Sequence, residues 1–136
     1  TTYTYDSVHG GILTEVGPAV GGVSPAKKYA YAQRYAWVRN AGGTGYEQAA
    51  SPVWVRTEER SCKASALNLT TGACGVASDL IVTAYDYGRN SGPNNLWLRG
   101  VAVTADGVTL RSCYGYDAMG NRISETKPRA GLTSCP

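Results

Sequence analysis

His9 is the only histidine of the chain, and with Asp6 and Ser7 beside it the residue types suit acid–base or nucleophilic chemistry. Such a group works only where its side chains converge on one reacting atom. Here all three lie in one glycine-rich turn and are not expected to converge, so His9 is read as a turn residue without a catalytic role. Glu58 and Glu59 are a second candidate, the paired carboxylates of glycoside hydrolysis. Adjacent strand residues point to opposite faces, so these two cannot serve one bond. Between Gly17-Pro18 and Gly22 the chain is glycine-rich, but it lacks the lysine and following helix of a phosphate loop. The sequence therefore predicts no enzyme activity, no cofactor and no metal site.

The cysteines carry the remaining chemistry. Cys62, Cys74, Cys113 and Cys135 contain no CxxC pair, which suits disulfides in an oxidising compartment better than zinc. Four cysteines permit three connectivities. Placement on hairpins favours Cys62–Cys74, flanking a turn near Asn68, and Cys113–Cys135, bracketing a second hairpin. The competing reading is four buried free thiols in a cytosolic shell protein. Asn68-Leu69-Thr70 also fits a glycosylation sequon, which matters only in a eukaryotic secretory setting.

Aromatic side chains are the other candidates. Tyr29, Tyr31, Tyr35 and Trp37 share one face of a strand, as Tyr3 and Tyr5 do near the start. Exposed, either row would stack on sugar rings. Covered by a neighbouring hairpin, each cross-strand pair adds from a few tenths to about 1 kcal/mol. Packing is the favoured expectation.

The elements that position these residues read as strands throughout. Seventeen Gly and ten Tyr, with no Phe, fit half-buried pleated surfaces joined by tight turns. Thr2–Asp6 and Ile12–Val16 predict a first hairpin. Lys27–Asn40 alternates at period two, and Pro52 is expected to start a strand over Val53–Cys62. Leu80–Tyr85 is the most apolar run and is expected to be the best-buried strand. Leu96–Ala105 and Val108–Cys113 flank Asp106-Gly107, the strongest two-residue hairpin signal of the chain. A last hairpin pairs the strand ending at Tyr116 with Arg122–Thr126. No segment has the pattern of an amphipathic helix, so the fold class is all-β, built of successive antiparallel hairpins.

That last hairpin carries a resemblance. Tyr114-Gly115-Tyr116-Asp117-Ala118-Met119-Gly120-Asn121-Arg122 resembles the YD repeat, Tyr-x-Tyr-Asp-x-x-Gly-Asn/Arg-Arg, of the RHS (rearrangement hotspot) proteins. Tyr3-Thr4-Tyr5-Asp6 with Gly10-Gly11 looks like a second copy, and Tyr85-Asp86-Tyr87-Gly88-Arg89 like a degenerate third. Tyr29-Ala30-Tyr31-Ala32 keeps the aromatic spacing without the aspartate. The resemblance implies an extended or spiralling β-sheet, with residues 1–136 a single YD-repeat segment of a longer array. It implies a structural role too, a shell or fibre enclosing or presenting another polypeptide such as a toxin domain. The self-cleavage of some RHS proteins is not carried over, because the similar outline at Lys127–Leu132 has no aspartate.

The alternative reading is an extracellular adhesion module that recognises surface carbohydrate through its Tyr and Trp rows. Expected partners are adjacent repeats or copies of the same chain, since an array open at both ends recruits strands. The chain is read as an excerpt of a longer protein, because it begins at Thr1 without a signal-like segment. A net charge of +3 with dispersed Lys and Arg argues against nucleic acid, and no apolar run suits membrane insertion. The expected location is secreted or cell-surface.

Overall fold

The computed structural model describes residues Thr1–Pro136, which form eight β-strands and no α-helix. They are β1 (Thr2–Tyr5), β2 (Ile12–Val16), β3 (Ala26–Arg39), β4 (Tyr46–Cys62), β5 (Leu80–Asp86), β6 (Gly100–Ala105), β7 (Val108–Tyr116) and β8 (Arg122–Thr126). Strands adjacent in sequence are adjacent in one antiparallel sheet, which runs from β1 to β8 and does not close into a barrel. The fold is thus all-β and made of successive hairpins. β1 and β8 are its two edges.

Contacts gather the chain into two compact units, each with one disulfide. The first comprises Thr1–Ala30, Arg56–Ala84 and Val103–Thr109, and holds Cys62–Cys74. Its centre is Tyr29, whose hydroxyl donates to Glu15 Oε2 at 3.1 Å while the Arg56 guanidinium lies 4.2 Å above its ring. Burial and the Glu15 carboxylate both push the Tyr29 phenol pKa up. Lys27 pairs with Glu59 at 2.9 Å beside it, and Leu67 is buried in the loop that the disulfide closes.

The second unit comprises Tyr31–Val55, Tyr85–Ala102 and Leu110–Pro136, and holds Cys113–Cys135. Asn95, Gly100, Ala102 and Cys113 are its buried residues. Gly100 is obligatory there, because a Cβ would stand 2.5 Å from Cys135 Sγ and 3.3 Å from the Ser112 carbonyl. No side chain of the chain is completely enclosed. With so thin a core, covalent staples and hydrogen-bonded turns must supply stability that burial does not.

Three expectations need correction. β4 begins at Tyr46, with Pro52 inside it rather than at its start. β5 meets β4 only over Glu58–Cys62, so one side of β4 near Pro52 is an edge, where a missing N–H is tolerated. Strand β6 begins at Gly100, not Leu96, because Asn94 adopts φ 61° and its carbonyl accepts from Trp97 N at 3.0 Å, closing a turn. Finally, β5 is half-buried at best, whereas β6 buries Gly100 and Ala102. Burial in this sheet falls on Tyr29 of β3 and on Gly100 and Ala102 of β6, so apolar character does not rank its strands.

Each disulfide closes a short loop, of 12 residues for Cys62–Cys74 and 22 for Cys113–Cys135. Replacing either pair by serine should cost roughly 3 kcal/mol, mainly by freeing the unfolded chain. Denaturant unfolding of the two double variants measures this, and intact mass before and after reduction should differ by four protons.

Candidate functional site

Four turns of this chain are closed by an Asp or Asn side chain through the same device. Asp6 Oδ1 accepts from Val8 N at 2.8 Å and His9 N at 3.0 Å, and Asn68 Oδ1 accepts from Thr70 N and Thr71 N, both at 2.9 Å. Asn40 Oδ1 accepts from Thr44 N at 3.0 Å, and Asp117 Oδ1 from Met119 N and Asn121 N, both at 2.9 Å. In each turn a glycine N–H donates back to the Asp or Asn carbonyl: Gly10 to Asp6, Gly43 to Asn40, Gly72 to Asn68 and Gly120 to Asp117, at 2.7–3.1 Å. These glycines have φ between 66° and 84°, a conformation that other residues adopt at a cost. Short polar side chains favour such turns because they satisfy backbone amides the turn would leave unpaired.

Two of the four turns end the motif copies read from the sequence, and those copies match in detail. In β1 the register slips between Thr4 and Tyr5, in β7 between Gly115 and Tyr116, both times at the second tyrosine of Tyr-x-Tyr-Asp. Leu13 and Ile123 are the extra residues of these bulges. The copies differ in what covers them. Tyr116 is half-buried, its hydroxyl donates to the Leu98 carbonyl at 2.7 Å, and its ring centroid lies 5.5 Å from that of Trp97. Tyr114 carries the Arg122 guanidinium 5.2 Å from its ring centre. Their counterparts Tyr3 and Tyr5 are 45% and 59% exposed, with 6.5 Å between their ring centroids.

The degenerate third copy opens into a long loop instead of a tight turn. Asp86 Oδ1 accepts from Gly88 N at 2.8 Å, and its carbonyl accepts from Arg99 N at 2.7 Å, closing the ends of residues 87–98. Asn95 anchors the loop to β3. Its buried amide accepts from Trp37 N at 3.1 Å and donates to the Tyr35 carbonyl at 2.6 Å, as a paired strand would. The Arg34 guanidinium donates to the carbonyls of Gly88 and Arg89, and Asn94 Nδ2 donates to the Asp117 carbonyl at 2.6 Å. So held, the loop walls two open clefts. One, of about 240 Å³, lies among Trp37, Tyr46, Trp97 and Asn94; the other, of about 290 Å³, among Arg89, Ser91 and Arg99. Pro93 and Asn95 line both.

Other residues singled out by sequence have plainer surroundings. Asp6 and His9 meet within the turn: Nε2 lies 3.5 Å from Asp6 Oδ1, and Nδ1 accepts from Gly11 N at 3.1 Å. Both ring nitrogens are thereby engaged in the turn. Glu58 faces Arg60 at 2.5 Å while Glu59 faces Lys27, so the adjacent carboxylates are neutralised separately. Tyr29 of the aromatic row is buried, and Tyr31, Tyr35 and Trp37 are half-buried. Sequence reading missed Asn40 and Asn68 as turn closers, although each precedes a glycine by three or four residues as Asp6 and Asp117 do. It also missed Tyr46, Asn95, Trp97 and Arg99, which only the folded loop brings together.

Charge is uneven between the units. The second holds eight Lys and Arg against four Asp and Glu, a net +4, while the first holds five against six, a net −1. No helix is long and apolar enough to cross a membrane, and no group of three His, Cys, Asp or Glu is placed to hold a metal ion. Compared with family models, curated proteins and solved structures, the chain matches none.

The turn carboxylates make stability depend on acid. The Asn121 side chain and amide hold Asp117 below the usual carboxylate pKa, and the His9 and Val8 amides do the same for Asp6. Their contribution is complete above the unfolded value of about 4 and is lost as pH falls through the lower folded values. Asp117→Asn keeps the acceptor oxygen without the titration, so its acid unfolding should shift to lower pH. Carboxyl NMR titration checks the cause: both groups should titrate below about 4.

Proposed function

We propose that the chain is a structural segment of a repeat array, in which successive hairpins extend one sheet that encloses or presents another polypeptide. The observation that carries this reading is the unequal covering of two matching hairpins. Tyr116 is covered by Trp97 and Leu98 from the segment before it, whereas Tyr5 in the equivalent place is exposed. A preceding repeat, or a second copy, packed on β1 as residues 97–98 pack on β7 would complete the first hairpin. Other exposed apolar side chains agree with a sheet that is covered by neighbours, among them Trp54, Leu110 and Ile123. Both edge strands also leave backbone groups open to further pairing. The two disulfides accord with an extracellular setting for such an array. The YD-like motif copies agree with an RHS-type shell, and that likeness is the source of the toxin-domain cargo in this reading.

A second reading, recognition of surface carbohydrate by aromatic faces, is favoured by the cleft among Trp37, Tyr46 and Trp97. Of the row from Tyr29 to Trp37, Trp37 lines that cleft, whereas Tyr29 is buried and Tyr31 and Tyr35 are half-buried.

Paired substitutions test the structural reading. Tyr116→Ala should cost about 2 kcal/mol, the fraction of a full aromatic truncation appropriate to a half-buried ring. Tyr5→Ala should stay within about 0.5 kcal/mol, as expected of an exposed position. In light scattering at rising concentration the wild-type chain should associate, and a Tyr3→Ser/Tyr5→Ser variant should not. A chain that stays monomeric and binds no adjacent repeat through β1 would sink the idea.

A further inference from the structure

The loop between β5 and β6 places aromatic and cationic groups side by side. In one cleft stand Trp97, 50% exposed, and Tyr46, 36% exposed, with Trp37 and the Asn94 amide between them. In the adjoining cleft stand Arg89, Arg99 and Ser91, together with Gly92 at φ 81°. Neither Arg89 nor Arg99 forms an ion pair, although every glutamate and aspartate bridge of the chain is made elsewhere. Pro93 and the buried Asn95 are common to both clefts, so the two adjoin. The loop is also fixed at several points. Asn95 is bonded to β3, Asn94 to Asp117, and Arg99 N to Asp86, so the side chains stand on a held backbone. Site residues on held backbone lose less freedom when a ligand binds.

Aromatic faces beside a neutral amide suit the apolar face and hydroxyls of a sugar ring, and guanidiniums suit carboxylate or sulfate. A cavity of about 150 Å³ accepts benzene. The 240 Å³ of the aromatic cleft therefore accommodates one saturated ring with its hydroxyls. We propose that this surface binds an acidic saccharide, one ring against Trp97 and Tyr46 and the acid group of that ring or the next against Arg89 and Arg99. The inference rests on the carbohydrate reading and narrows it to a ligand class. An acidic peptide meets the same arginines but gains less from the aromatic rings, on which a sugar ring stacks.

Binding of the full chain to linear oligogalacturonate, with one carboxylate per ring, tests this, read by calorimetry and tryptophan fluorescence. The fully methyl-esterified oligomer, of the same backbone without charge, and oligoglutamate are the controls. The free acid should bind with a change in tryptophan emission, and the ester about tenfold more weakly or worse, since a charge-assisted contact is lost. Arg89→Gln and Arg99→Gln should each weaken the acid by about tenfold and leave the ester unchanged. Trp97→Ala should weaken both, and Tyr46→Ala on another wall gives an independent loss if Trp97→Ala disturbs the loop. Equal binding of acid and ester would overturn the acidic preference while leaving the carbohydrate reading intact. Binding of oligoglutamate as tight as the oligosaccharide would overturn the ligand class. Failure of both acid and ester to bind would overturn this proposal and the carbohydrate reading together.

Discussion

Turns decide the register of a hairpin, and four turns of this chain are closed by an Asp or Asn side chain. The carboxylate or amide oxygen takes up amide N–H groups that the reversal leaves without strand partners, while a left-handed glycine returns its own N–H to the same residue. A sheet with a deep core can correct an indifferent turn, because a one-residue slip would expose its buried face. Here the buried set is small, Tyr29, Leu67, Ala102 and Cys113 among the apolar residues, so the turns carry more of that specification. The bulges at Tyr5 and Tyr116 agree with this view, since each slip falls immediately before the closing aspartate.

The disulfides act on the same weakness from another side. Cys62–Cys74 encloses the Asn68 turn and Cys113–Cys135 encloses the Asp117 turn, so each compact unit has one turn closed twice, by hydrogen bonds and by a covalent link. The other two turns, at Asp6 and Asn40, rely on hydrogen bonds alone. Gly100 shows the geometric demand of the second link, since a methyl group there would meet the Cys135 sulfur.

Function follows from what this economy leaves uncovered. Strands held by turns and staples need not bury their faces, and Tyr3, Tyr5, Trp54 and Ile123 remain exposed. Where one hairpin lacks a tight turn, after Asp86, the released residues become the loop that walls the aromatic and cationic clefts.

Strand alternation, the Asp106-Gly107 turn, the motif at Tyr114–Arg122 and the favoured pairing of cysteines were all legible in the sequence, because each depends on residues close along the chain. Period two sorts side chains within a strand, and a turn or short covalent loop closes within a few residues. Folding was needed for everything that joins distant segments. Asn95 acts as a strand partner for residues 35 and 37, which no local pattern announces. The burial of Tyr29 beside an exposed Tyr5 could not be read from identical residue types, since it depends on what lies across the sheet. Dispersed along the sequence, the positive charges collect in one unit only when β3, the 85–102 segment and the last hairpin are brought together. Local chemistry determined the hairpins; long-range contact alone decided which of their faces were left exposed.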